Sequence, residues 1–195
     1  ASNSLGTVQL LLAAGADVNL RCRGKQTALM FAAEKGHADV IDALAQGGAK
    51  LELKDADGYT ALMLAASKAQ PASVAALIQA GADVQAKSKI GRTALHTPLG
   101  TAFLIKDYVN DAFVFRFKID SQRIYETAKL LIDAGADPQA QDQHGATPMQ
   151  MAEQMVEMTG AFHEIIDLFN NAEPGKRVLE TTSKKPAAKK SKRAE

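Results

Sequence analysis

The chain has 195 residues, 46% hydrophobic and 23% charged, which suits one domain with its own core; its apolar runs fall far short of the roughly 20 residues of a spanning helix. One cysteine, Cys22, excludes an internal disulfide framework and a cysteine-rich zinc site. The net charge of +1 joins two unlike parts: residues 1–175 hold 15 basic and 20 acidic residues, whereas the stretch from Lys176 onward holds eight and two.

In chain order, the first predicted element is a helix opening near Ser4 and closing at Gly15-Ala16. Thr27 then supplies an N-cap, and Ala28 to Lys35 reads as a short helix of small residues that Gly36 ends as a left-handed C-cap. A second helix carries Val40, Ile41, Leu44 and Ala45 at the spacing of one apolar stripe, and Gly47-Gly48 stops it. Leu53 to Tyr59 holds Asp and Gly where a hairpin turn needs them. The pattern recurs. Thr-Ala-Leu begins at Thr27, Thr60 and Thr93, 33 residues apart, and returns as Thr147-Pro148-Met149 after 54. Gly-Ala pairs at Gly15, Gly48, Gly81 and Gly135 keep the same interval and share the same 21-residue delay. Two independent markers with one common insertion define a repeat architecture.

The run Gly58-Tyr59-Thr60-Ala61-Leu62, with Ala65-Ala66, Val74, Leu77-Ile78 and Gly81-Ala82-Asp83-Val84, resembles the ankyrin repeat family. The series from Thr27 through Ala32-Ala33, Gly36-His37 and Gly48-Ala49 resembles it again, and the likeness covers about residues 4 to 171. It implies an all-α repeat solenoid of one partial and four full units over residues 1–172, each a helix-turn-helix with a β-hairpin finger. The 36 alanines fit, because stacked helix pairs approach closely only where contact positions are small and no unit buries its apolar face alone. The resemblance also implies a concave surface of finger tips and first-helix faces that grips other proteins. Carried over by position, that surface includes Arg23, Gln26, Glu34, Lys35, Asp57, Tyr59, Ser67, Lys68, Lys89, Ile90, Arg92, Gln143 and His144. Tyr59 and Arg92 lead by residue type. Fingers one and three are basic and finger two acidic, which suits a partner of mixed charge.

The pattern is broken in three places. Lys25 takes the register of Gly58 and Gly91, with Gly24 one residue earlier, so the first turn is expected to differ in type. Pro98-Leu99 replaces the Ala-Ala pair of the third unit. Proline inside a helix removes a hydrogen bond and clashes with the preceding turn, so that helix either kinks or restarts; the favoured expectation is a restart with Thr97 as N-cap and Pro98 at the first position. The 21 extra residues form an insertion at about 100–120, ahead of a second helix at about Arg123 to Ala134. Six of the ten aromatic residues lie between 101 and 125, among them Phe113, Phe115 and Phe117. These three alternate at the strand period, yet Phe113 and Phe117 would also share a helix face. Two readings stay open: the rings cover the seam opened by Pro98, or they project as a binding anchor. Met151, Met155 and Met158 share a face of the next helix and read as core filling. The last helix, Ala161 to Asn170, exposes His163, Glu164, Asp167 and Asn170 as a C-terminal cap.

Signals for catalysis are missing. Asp55-Ala56-Asp57-Gly58 lacks the acid alternation of a calcium loop and reads as a turn. In the family, His37 and His96 fall where histidine caps or bridges repeats. His144 and His163 have no metal-ligand spacing, and no Ser/His/Asp set or Gly-rich phosphate loop is present. The reading is a non-catalytic, monomeric protein-interaction module without cofactor or metal. It binds and occludes a partner protein as an inhibitor, immunity factor or adaptor, through the concave face and, on the anchor reading, Phe113, Phe115 and Phe117. The alternative is a nuclear or nucleic-acid-associated regulator that uses the basic tail, residues 173–195. That tail is too polar and charged to fold alone, and its Lys176-Arg177 and Lys189 to Arg193 clusters resemble a bipartite nuclear import signal. The compartment stays open between the cytoplasm, the periplasm if a signal peptide was removed before Ala1, and the nucleus of a eukaryote.

Overall fold

The computed structural model describes residues 2–101, 121–160 and 162–172. Helix α1 (Ser2–Ala13) precedes four helix pairs: α2 (Ala28–Lys35) with α3 (Ala38–Gln46), α4 (Ala61–Ser67) with α5 (Pro71–Gln79), α6 (His96–Thr101) with α7 (Ser121–Asp133), and α8 (Pro148–Thr159) with α9 (His163–Asn170). The helices start where the sequence supplies caps. Thr27, Thr60 and Thr147 each accept a bond at Oγ1 from the N–H three residues on, at 3.4, 3.4 and 3.2 Å, which satisfies one of the free donors of a helix start. Thr147 also closes a capping box with Gln150. At the other end of α2, Gly36 adopts φ +82° and ends the helix as its sequence predicts.

The helices form two layers. The first helices α2, α4, α6 and α8 stack in one, and α1, α3, α5, α7 and α9 stack in the other. Between them lies one continuous core, with Leu29, Ile41, Leu62, Leu77, Leu95, Ile124, Leu131 and Ile165 fully buried. Ala33, Ala65 and Ala66 have no exposed surface, so α2 and α4 meet through side chains hardly larger than the backbone. Met149, Met151 and Met155 are buried while Met158 is exposed, so the methionine-rich helix α8 serves mainly as core. Helix α9 buries Ile165 and Phe169 and turns His163, Glu164, Asp167 and Asn170 outward.

One expectation needs correction and one is not confirmed. Helix α6 does not restart at Thr97: it opens at His96, and the Thr97 hydroxyl points to the carbonyls of Ala94 (2.8 Å) and Met63 (3.2 Å) instead of capping. Pro98 is tolerated because it is the third residue of the helix, where an N–H would have no intrahelical partner. The expected hairpins are tight turns, and no residue among those described is assigned to a strand.

Ser73 Oγ on α5 and Thr127 Oγ1 on α7 are buried without a hydrogen-bond partner, at equivalent positions of two helices that pack together. An orphaned buried hydroxyl costs free energy that an apolar group of the same shape does not. Ser73→Ala and Thr127→Val are each expected to stabilise the fold by about 1 kcal/mol, raising Tm by roughly 2–4 °C for a protein of this size. Calorimetry of the two variants checks this; a lowered Tm in both would show that the hydroxyls are satisfied in solution.

Candidate protein-binding face

Each finger is a five-residue turn closed at both ends by its own backbone. The N–H groups of Cys22, Asp55, Ser88 and Asp142 bond to the carbonyls of Gln26, Tyr59, Arg92 and Ala146 at 2.9–3.0 Å. Those of Lys25, Gly58, Gly91 and Gly145 bond back to the first residue at 3.0–3.2 Å. In the last three turns the glycine alone takes a positive φ, whereas the first has both Gly24 (+82°) and Lys25 (+61°) there. The displaced glycine of the sequence does produce a different turn. Asp55 and Asp142 tie their turns further, each Oδ1 accepting two backbone N–H bonds, from Asp57 and Tyr59 and from His144 and Ala146.

Neighbouring fingers are joined by a backbone bond at the same register. Gly24 O accepts from Ala56 N–H (2.8 Å), Asp57 O from Lys89 N–H (3.2 Å) and Ile90 O from Gln143 N–H (3.0 Å). A row of basic side chains runs alongside. The Arg21 guanidinium donates to Lys54 O, Lys54 Nζ to Lys87 O (2.7 Å) and Lys87 Nζ to Gln141 O (3.2 Å). A second row follows the same rule: Asn19 Oδ1 accepts from Lys50 N–H, Glu52 Oε1 from Asp83 N–H, and Gln85 Nε2 donates to Gly135 O. The finger edge is therefore rigid by construction, each unit holding the next.

Between the third and fourth fingers sits a buried polar group. His96 is fully buried; its Nδ1 faces the Thr93 N–H (3.1 Å) and hydroxyl (2.9 Å), and its Nε2 faces Ala146 O (3.2 Å). Because a backbone N–H can only donate, Nδ1 accepts and Nε2 carries the proton, which makes the ring neutral. Burial lowers its pKa below the ordinary imidazole value, with the Ala146 carbonyl and the Asp142 charge opposing but not overcoming it. Burial pushes the Asp142 carboxyl up, yet the N–H groups of His144 and Ala146 and the Arg92 guanidinium at 3.3 Å outweigh it, so its pKa lies below the usual carboxylate range.

The structure distributes the predicted contact residues unevenly. Arg23, Asp57 and Lys89 are exposed at finger tips, and Lys35 is exposed at the end of α2. Tyr59 and Ile90 are half-buried, Tyr59 packing against the core. Arg92 spends its guanidinium on Asp142 with 28% of the side chain exposed, and Lys68 lies 3.8 Å from Glu34 across α4 and α2, a surface pair of little energetic weight. Phe113, Phe115, Phe117 and the tail lie outside the described residues. Phe31 was not among the expected contacts: it is 45% exposed on α2, at the register of Leu64, Thr97 and Met151, which are all more covered. Its only sequence signal was a large ring among alanines. Beside the fourth finger, an open depression of about 560 Å³ is lined by His144, Gln150, Met151, Glu153 and Glu157.

A family model of ankyrin repeats, in three copies, matches residues 1–88. Residues 1–88 carry ankyrin repeats. No curated protein matches it. Ankyrin repeats are protein-interaction modules and generally non-catalytic. Among the described residues no cluster of His, Cys, Asp or Glu could hold a metal ion, and no helix is long and apolar enough to cross a membrane.

Two predictions follow from the finger geometry. A Cβ on Gly58 would sit 2.6 Å from Lys89 N, on the bond that joins two ankyrin fingers, whereas one on Gly48, at a similar positive φ, would meet open space. Gly48→Ala should cost about 1 kcal/mol of left-handed strain, and Gly58→Ala roughly twice that or more once the inter-finger bond is lost; urea denaturation separates them. For His96, the unfolded ring protonates near pH 6.5 and the folded ring only at lower pH, so the unfolded state binds more protons in between. Stability should fall as pH drops from 7.5 toward 5.5. His96→Gln, less stable throughout, should show a shallower slope of urea midpoint against pH over that range.

Proposed function

We propose that the concave face, made of the finger tips and the exposed side of α2 and α4, docks a partner protein, and that the chain acts by occluding that partner as an inhibitor, immunity factor or adaptor. The observation that carries this is the finger edge, whose turns are joined unit to unit by backbone bonds of 2.8–3.2 Å and present Arg23, Asp57 and Lys89 outward. A surface that is ordered beforehand loses little entropy on association. In this reading Arg23, Lys35, Asp57, Tyr59, Lys68, Lys89 and Ile90 contribute contacts, and Arg92 holds the third finger to the fourth. In this reading α6 to α9 continue the ankyrin array begun in residues 1–88, and Phe113, Phe115 and Phe117 provide a second contact.

A photo-crosslinking residue placed at Lys35 or Asp57, and in separate variants at Asp42 or Lys129 on the second-helix layer, tests the reading in living cells. Adducts are expected from the first pair of positions and not from the second. Arg23→Ala combined with Lys89→Ala should lower capture at least tenfold with Tm unchanged within about 2 °C, as suits surface substitutions. Adducts from the second-helix layer alone would overturn the proposal.

A further inference from the structure

The four fingers, residues 20–26, 53–59, 86–92 and 140–146, hold seven basic side chains against three acidic ones. The excess persists at the surface once internal pairing is counted. Asp142 is spent on Arg92 and two backbone N–H groups, and Asp55 accepts two N–H groups of its own turn, which leaves Asp57 as the one carboxylate presented outward. Arg21, Arg23, Lys25, Lys54, Lys87 and Lys89 are exposed, and none of them lies within ion-pair distance of a carboxylate among the described residues. Only Asp142, in the fourth finger, is met by a cation, Arg92. A partner of mixed charge gives way to an acidic one.

We propose that the segment gripped by the finger edge is an extended, acidic stretch of polypeptide with carboxylates at about every third residue; this rests on the concave-face reading above. Arg21, Lys54 and Lys87 stand in one row, one per unit, each head anchored on the next unit's carbonyl. A lysine ammonium that donates once keeps two further N–H groups for a carboxylate. Stacked helices set the spacing of that row at roughly 8–10 Å. An extended polyproline-II chain rises 3.1 Å per residue, so three residues span about 9 Å, in step with the row. A single-stranded nucleic acid is the other polyanion of this size, but its binders alternate cations with stacking rings. The finger tips offer Tyr59, half-buried against the core, and the single imidazole of His144.

The test uses the full chain and a fluorescein-labelled 13-residue peptide with Glu at every third position between Pro and Ala. Its controls are the same peptide with Lys for Glu and a thymidine oligonucleotide of equal charge. Fluorescence anisotropy in 50 mM salt should show the Glu peptide binding at least tenfold tighter than the Lys peptide, and 300 mM salt should weaken it. Arg23→Glu combined with Lys89→Glu, two tips outside the carbonyl row, should lower affinity at least tenfold with an unchanged circular-dichroism spectrum; Lys129→Glu on α7 should change it less than twofold. Equal binding of the two peptides, or full retention by the double variant, overturns the proposal, as does an oligonucleotide that binds equally well and loses affinity in the same variant. A crosslinked partner captured at Lys35 or Asp57 through a neutral or basic segment defeats this inference alone, whereas capture solely from the second-helix layer defeats the concave-face reading itself.

Discussion

Close approach of the first helices governs the rest of this molecule. Ala33, Ala65 and Ala66 are fully buried on α2 and α4, and the distance they permit between those helices is the distance the fingers must bridge. The bonds from Ala56 to Gly24 and from Lys89 to Asp57, at 2.8 and 3.2 Å, exist only at that separation. A larger side chain in the helix layer would therefore act twice, once in the core and again in a finger row it does not touch. Core packing and surface geometry are one constraint.

The polar groups obey the same economy. Buried donors and acceptors at the unit boundaries are paired across them: His96 reaches Ala146 O, Thr97 faces Met63 O, and Arg92 meets Asp142. Such groups stabilise only with their neighbour in place, so each boundary is specific to its two units. Ser73 and Thr127 stand apart from this scheme, and nothing in the structure explains why those positions are hydroxylated. The outcome is a rigid edge whose exposed side chains are displayed at fixed intervals.

Much of this was legible beforehand, because a period of 33 residues is a statement about geometry. Thr27 and Gly36 bound α2 to the residue, since a cap and a left-handed stop are local chemistry. Lys25 and Gly24 announced an altered turn for the same reason. What escaped was non-local. Thr97 looks like an N-cap until Met63 of the previous unit offers a carbonyl to its hydroxyl, and Asp55 and Asp142 look like surface charges until their own turns consume them. Phe31 hid in a run of small residues, exposed where Leu64, Thr97 and Met151 at the same register are more covered. The hairpin expectation is not confirmed: two bonds close each finger, one more joins it to its neighbour, and no described residue is assigned to a strand.

The row of basic side chains carries a consequence for how such a chain can change. From Arg21 to Lys54 and from Lys54 to Lys87 the step is 33 residues, yet from Lys87 to Gln141 it is 54, and the link is made all the same. Twenty-one additional residues leave no trace on the finger edge. They enter the sequence between α6 and α7, so that connection can lengthen and diversify while the finger edge keeps its geometry. Two surfaces encoded in one repeat are in this way free to drift under separate selection.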